Sequence, residues 1–302
     1  MTVTAILLII LSAFLHAGWN LVSKKEVPSI SYFFLANLFG SALFLPMVFL
    51  HWQMYFFFPV QVWICAFISG AFLTMYFYSL AKTFQSGDLS IVYPIVRSAP
   101  IIIVPFFSFI IGTGHKISIQ SLGGMILITV GCFLLPMTQI QKIQFRDYIN
   151  ITVGFALLAA IGTAGYNIAD DQALTYLRAN AHINLNNFEL TTLYFFIEAM
   201  SSFLCLLVVI LMTRRNRQDL LYKIRHKKKN TILLGVTIYT TYTLVLISMA
   251  YVNNVSYVVA FRQLSIPLGA IAGVLILKES CYRTKVIGIC VLLIGLLLVS
   301  TG

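Results

Sequence analysis

The sequence predicts an all-α integral membrane protein with ten transmembrane helices in two inverted five-helix repeats. Three observations carry this. Hydrophobic residues make up 60% of the 302 positions and charged residues 10%, with a mean hydropathy of +0.92, whereas soluble chains run to about 25% charged. The apolar stretches are each close to the ~20 residues that cross a bilayer as a helix. Short polar signatures in the first half return, in order, in the second.

Ten spans fit, at approximately 3–22, 31–50, 60–83, 90–111, 118–137, 151–174, 190–212, 231–252, 256–277 and 285–301. Helix is the expected state, because open sheet edges cannot be satisfied in lipid and the runs are too long and continuously apolar for a barrel. The apolar run from Ile6 to Leu15 has no basic residue before it and no convincing cleavage site, so it reads as the first span.

The first span carries Ser12, His16, Asn20 and Lys24 at four-residue spacing, which gathers them on one helix face. The sixth repeats the register with Ala159, Thr163, Asn167 and Asp171, and Ala17-Gly18-Trp19-Asn20 echoes in Ala164-Gly165-Tyr166-Asn167. The third and eighth spans are rich in Tyr and Thr, at Thr74-Met75-Tyr76-Phe77-Tyr78 and Tyr239-Thr240-Thr241-Tyr242-Thr243. Short turns follow at Gln85-Ser86-Gly87-Asp88 and Asn253-Asn254. The fourth and ninth spans then each set a lone arginine, Arg97 and Arg262, six or seven residues past a serine. Each lies about seven residues, roughly 10 Å, below its face of a core about 30 Å thick. The fifth and tenth share a glycine pair, Gly124 with Gly131 and Gly288 with Gly295. The halves are residues 1–138 and 149–302. Five is odd, so the second half enters the membrane from the opposite side, as in many secondary transporters.

Tyr93-Pro94-x-x-Arg97 and Phe261-Arg262-Gln263-Leu264-Ser265, with Leu277-Lys278-Glu279 closing the ninth span, are similar to patterns of the EamA-type members of the drug/metabolite transporter superfamily. The resemblance covers nearly the whole chain. It implies a ten-helix transporter fold and says little about the substrate. The first half departs from it where Gly112-Thr113-Gly114 stands in place of a closing glutamate.

Of the 20 Lys and Arg, all but Lys116, Arg178, Arg97 and Arg262 fall in or beside the loops after odd-numbered spans, with eight between Arg214 and Lys229. The positive-inside rule makes those loops cytoplasmic and both termini external, whereas related transporters often have cytoplasmic termini. The net charge of +11 therefore marks loops rather than a nucleic-acid surface. The expected location is a bacterial inner (plasma) membrane. The five cysteines have no metal-ligand spacing, and neither a metal nor a cofactor is expected.

A guanidinium cannot be deprotonated, so Arg97 and Arg262 must face protein, water or a bound anion. Two readings stand: capture of an anionic or zwitterionic group, or a structural ion pair, for which Glu198 lies at the depth of Arg262. Glu198 is also a candidate proton carrier, and His16 is grouped with it for coupling or ion pairing. Tyr93, Asn20, Asn167, Tyr78, Tyr242 and Gln263 complete the expected binding set. Pro94, Pro100 and Pro267 lack an amide proton and suit a hinge. Asp170 and Asp171 are expected near a helix end, wet and uninvolved, and Gly269-x-x-x-Gly273 is expected to pack closely on another helix.

No catalytic constellation is expected: only His16 lies deep enough for a Ser–His dyad, and adjacent Asp170 and Asp171 point about 100° apart. A channel is disfavoured by the lack of a charged ring or filter-like loop. The expected function is secondary-active transport of a small polar metabolite, amino-acid-like or an organic anion, by alternating access. A lipid-carrier flippase of the same superfamily is the alternative. Expected partners are that solute, a coupling proton or ion, and membrane lipid, with the protein a monomer or homodimer.

Overall fold

A computed structural model describes residues 1–23, 29–86, 89–137, 150–278 and 280–302, with the side chains at 19–23, 84–86, 89–91 and 277 also outside the description. Among the described residues the chain is helical and contains no strand. The helices are α1 (Val3–Ser23), α2 (Ile30–Ser41), α3 (Leu45–His51), α4 (Val60–Ser86), α5 (Leu89–Ile110), α6 (Ile119–Leu134) and α7 (Ile151–Arg178). They continue as α8 (Asn187–Met212), α9 (Arg214–His226), α10 (Lys228–Ser248), α11 (Val255–Phe261), α12 (Ser265–Leu277) and α13 (Arg283–Thr301).

Among the described residues, eight stretches are long and apolar enough to cross a membrane: Ile30–Phe57, Val60–Thr83, Val92–Ile110, Ile151–Arg178, Asn187–Met212, Lys228–Tyr251, Val255–Ile276 and Arg283–Thr301. Val3–Gly18 and Ile119–Leu134 are shorter apolar helices, so the fifth expected span ends at Leu134 rather than 137. The second is broken: a 3-10 turn at Ala42–Phe44 separates α2 from α3, and Pro46 sits at the start of α3, where its missing amide proton costs nothing. The ninth is broken at Arg262–Leu264, five to three residues before Pro267, while α5 remains helical through Pro94, Pro100 and Pro105.

Local chemistry sets most starts. Ser29, Ser118, Asn150 and Asn254 each accept a backbone N–H of the first turn they precede, and Asn186 forms a capping box with Glu189. Both arginine-bearing spans end near a left-handed residue, Gly112 (φ 87°) and Lys278 (φ 55°). Glycine enters that region without strain, which explains Gly112-Thr113-Gly114 where the family pattern has an acid. Glu279, the junction at 138–149 and the turn residues Gly87 and Asp88 lie outside the described residues.

The packing is reciprocal. α4 packs on α7 and α10 on α1; α5 packs on α7, as α11 and α12 do on α1; α4 packs on α8 and α10 on α2. Each contact has a counterpart five spans along the chain. Between α6 and α13 the glycines shared by the two halves face each other: a Cβ on Gly124 would lie 2.7 Å from the Gly295 carbonyl oxygen, and one on Gly131 would lie 2.9 Å from that of Gly288. The backbones meet there in antiparallel register. A second pair escaped the sequence reading: Gly70 meets Ser201 and Ser202, and Gly235, five spans on, meets Ala36 and Gly40. Gly269, by contrast, has nothing within 4 Å, so the expected close contact there is corrected.

Gly131→Val should therefore force α6 and α13 apart, at about 1–3 kcal/mol for overpacking. The expected outcome is a lower thermal midpoint for the purified protein, with Gly269→Val nearly neutral in the same assay.

The residues between spans seven and eight, expected as a loop, form α9. Its composition is too polar to register in a search for apolar runs. It docks through Asp219, which accepts from Ser29 Oγ at 2.6 Å, and through Lys223, whose ammonium lies 5.1 Å from the Tyr32 ring centre.

Candidate functional site

Arg97 on α5 and Arg262 at the α11–α12 break line one cavity of about 140 Å³. Its other walls come from α1 (His16), α4 (Tyr76, Phe77), α7 (Tyr166), α8 (Phe195) and α10 (Tyr239, Tyr242), with Tyr93 beside Arg97. A second space of about 20 Å³, lined by Ser12, His16, Arg97, Thr241, Arg262 and Ser265, adjoins the guanidiniums. That is enough for one water. The arginines thus stand in a polar patch of an otherwise aromatic chamber.

Each guanidinium is held from the other half of the chain or by its own. Arg97 Nη2 donates to Ser265 Oγ at 2.7 Å, and Ser265 Oγ donates to the Arg262 carbonyl at 3.1 Å. Arg262 Nη1 donates to Asn167 Oδ1 at 3.2 Å, and its guanidinium carbon lies 5.1 Å from the Tyr242 ring centre. A planar cation against an aromatic face is attracted by the ring quadrupole. Arg97 Nε is buried without a hydrogen-bond partner. His16 lies within electrostatic reach of both guanidiniums.

Behind Tyr242 is a carboxylate the sequence reading missed. Asp170 is fully buried: Ser69 Oγ and Tyr194 Oη donate to its Oδ1 at 2.5 and 2.7 Å, and Tyr242 Oη donates to Oδ2 at 2.5 Å. The expectation of a wet, uninvolved residue is corrected. The sixth span was ended at 174, but α7 runs to Arg178, and Asp170 lies three residues past Asn167 on the same face. That spacing was the available signal. Asp171, a turn of 100° away, is half-buried and faces Arg178 instead.

Glu198 is also fully buried, and neither carboxyl oxygen has a hydrogen-bond partner. Among the described residues it forms no ion pair with Arg262, so the pairing expected at equal depth is corrected. Arg262 is occupied by Asn167 and Tyr242, while Glu198 lies within electrostatic reach of Asp170, Tyr194, Tyr239 and Tyr242.

The remaining expected residues divide. Tyr93 and Tyr242 line the cavity, and Asn167 positions Arg262 from behind it. Tyr78 does not belong to it: its ring packs 6.3 Å from Phe155, with the Lys82 ammonium 5.7 Å from its centre. Gln263 is buried and turns back to the Val259 carbonyl at 3.2 Å, away from the cavity. The Asn20 side chain lies outside the described residues. Pro94 and Pro100 are buried within α5, and Pro267 opens α12. Residues the sequence reading did not select are Tyr76, Tyr166 and Phe195, whose rings build the chamber with Tyr239 and Tyr242. Phe195 stacks on Tyr239 at 4.8 Å, and Tyr166 meets Tyr242 edge-on at 5.4 Å.

Tyr78→Ala is accordingly expected to leave substrate affinity within about twofold, because the residue touches no wall of the site. Tyr93→Ala should weaken it measurably, as read by competition in counterflow assays.

Residues 3–137 match the EamA-like transporter family. That family is part of the drug/metabolite transporter superfamily, and the apolar helices make this chain a multi-pass integral membrane protein. A solved crystal structure, titled only as that of a protein, superposes with a TM-score of 0.64 at 14% identity, over 98% of this chain and 97% of its own. That likeness shows that the two chains share a fold over nearly their whole lengths, and nothing more. No curated protein matches the chain.

Proposed function

We propose that this EamA-like protein is a secondary-active transporter of a small metabolite bearing an anionic or zwitterionic head group, bound between Arg97 and Arg262. The single observation that supports it is the meeting of two arginines, one from each half, in a membrane-depth cavity walled by aromatic rings. Two cations on one polar patch suit a carboxylate, and the rings suit an apolar body beside it. We take residues 1–138 and 149–302 as inverted repeats, supported by the reciprocal packing and the facing glycines. Rocking of one repeat against the other about the arginine patch would give alternating access. The break at Arg262–Leu264, with Pro267 just beyond, and the prolines of α5 are the hinge candidates.

Size argues against a lipid-carrier flippase. A cavity of about 140 Å³ is close to the ~150 Å³ that accommodates benzene, and a polyprenyl chain would need a groove far larger. The basic loops, including α9, support a reading in which the ends of the odd-numbered spans face the cytoplasmic side of a plasma membrane.

The test is uptake into proteoliposomes of radiolabelled amino acids and organic anions, with and without an imposed ion gradient. Saturable flux that one solute competes is the expected result. Scrambling of labelled lipid without solute flux would favour the flippase reading.

A further inference from the structure

The cavity does not account for the most heavily buried acidic groups among the described residues. Asp170 and Glu198 are both 0% exposed, on α7 and α8, and line neither space beside the arginines. They are unlike each other. Asp170 accepts from three hydroxyls, two from the second half and one from α4. Neither Glu198 oxygen has a donor of its own, since Ser69, the hydroxyl in reach of both acids, donates to Asp170 at 2.5 Å, and the Tyr239 hydroxyl within electrostatic reach of Glu198 is likewise buried without a partner. An orphaned carboxyl beside an orphaned phenol, next to a fully satisfied carboxylate, marks a place where a proton is held and released.

We propose that Asp170 and Glu198 form a one-proton site whose loading is linked to the arginine cavity through the Tyr242 hydroxyl and the Arg262 guanidinium. The site rests on the transport reading for its purpose, not for its existence. Asp170, with three O–H donors, is satisfied as the ionised member. Two like charges in a water-excluded space cannot both persist, so Glu198 carries the proton. When that proton leaves, the Tyr239 hydroxyl is the donor that an ionised Glu198 requires.

The titratable and charged groups in reach of the pair come from α4, α8, α10 and the break before α12. α4 contributes Ser69 and Cys65, α8 contributes Tyr194, α10 contributes Tyr239 and Tyr242, and Arg262 is the cation in range. A sodium ion fits this set poorly, because a hard cation wants several oxygen ligands and here the hydroxyls point their protons at Asp170.

The direction of coupling follows from charge. An anion seated on Arg262 cancels part of the positive potential that the guanidinium projects through Tyr242 on to Asp170. The pair then binds its proton more tightly, and by reciprocity a loaded pair binds the anion more tightly. Anion and proton therefore travel together.

Two measurements on the purified full-length protein test this. The first is infrared titration of the protein alone. Wild type should lose one buried carboxylic C=O band as pH rises; Glu198→Gln should lack that band, and Glu189→Gln, at the half-buried start of α8, should keep it. A band unchanged in Glu198→Gln overturns the proposal. Should Glu198→Gln elute abnormally on size exclusion, Asp170→Asn, which removes the ionised neighbour, must displace the same band or the proposal fails.

The second is proteoliposome transport of a ¹⁴C-labelled amino-acid hydrolysate. Wild type should accumulate label along an inward proton gradient, and Glu198→Gln should lose about tenfold or more of that accumulation while retaining counterflow that no longer varies with pH. Accumulation in the variant that still follows the proton gradient, or wild-type accumulation that follows sodium alone, overturns it. Wild-type protein that moves no label while the infrared band behaves as stated would sink the amino-acid reading and leave the proton site standing.

Discussion

Arg262→Gln should weaken substrate binding by about 10- to 100-fold, the cost of losing a charged hydrogen bond worth about 1.5–3 kcal/mol. Arg97→Gln should fall in the same range. Arg262 is held in place by Asn167 at 3.2 Å and by the Tyr242 ring at 5.1 Å, so its guanidinium enters the cavity already oriented. Arg97 has Nη2 on Ser265 while its buried Nε has no partner, which leaves donor capacity unspent beside the cavity. Arg262→Lys should not rescue. An ammonium is a point charge and cannot lie flat on Tyr242 while bonding Asn167. Half-saturation in counterflow and ligand-induced thermal shift both read the effect. Unchanged affinity and rate at normal expression would remove the residue from the site.

The second large effect is on stability. Asp170→Leu should destabilise the protein by more than about 3 kcal/mol, because Ser69, Tyr194 and Tyr242 would each be left as a buried donor costing about 1–3 kcal/mol. Asp170→Asn, which keeps an acceptor oxygen, should cost much less. Replacing the donors too, as Ser69→Ala, Tyr194→Phe and Tyr242→Phe on the Asp170→Leu background, should recover a large part of the loss. Removing both sides of a buried hydrogen bond is cheaper than removing one. Unfolding midpoints of the purified variants decide this. Equal stability of Asp170→Leu and wild type would mean that the three hydroxyls are satisfied elsewhere.

What was legible in the sequence follows from what a bilayer demands. The spans announce themselves because a lipid-facing helix has to be apolar along its whole length. The two arginines stand out because a permanent charge there needs a reason. The Gly124, Gly131, Gly288 and Gly295 pattern marks the repeat in the sequence, and the contact those glycines make between α6 and α13 emerges only from the fold. What failed was whatever depends on rotation about a helix axis. Tyr78 and Tyr242 looked alike in their Tyr- and Thr-rich spans, yet one faces Phe155 and the other the cavity. Gln263 adjoins Arg262 in sequence and so points elsewhere. Asp170 was lost to a boundary error of one helical turn, since α7 reaches Arg178. Asn167 was read as lining the path and instead orients the guanidinium that does. α9 was invisible because its stability comes from docking at Ser29 and Tyr32 rather than from hydropathy.

The most direct test of the account is a structure of the protein with a solute that competes in counterflow. The expected result is the solute's anionic group within hydrogen-bond distance of Arg97 or Arg262, its body among Tyr76, Phe195 and Tyr242. A solute bound elsewhere, with Arg97 still on Ser265 and Arg262 still on Asn167 and Tyr242, would contradict it.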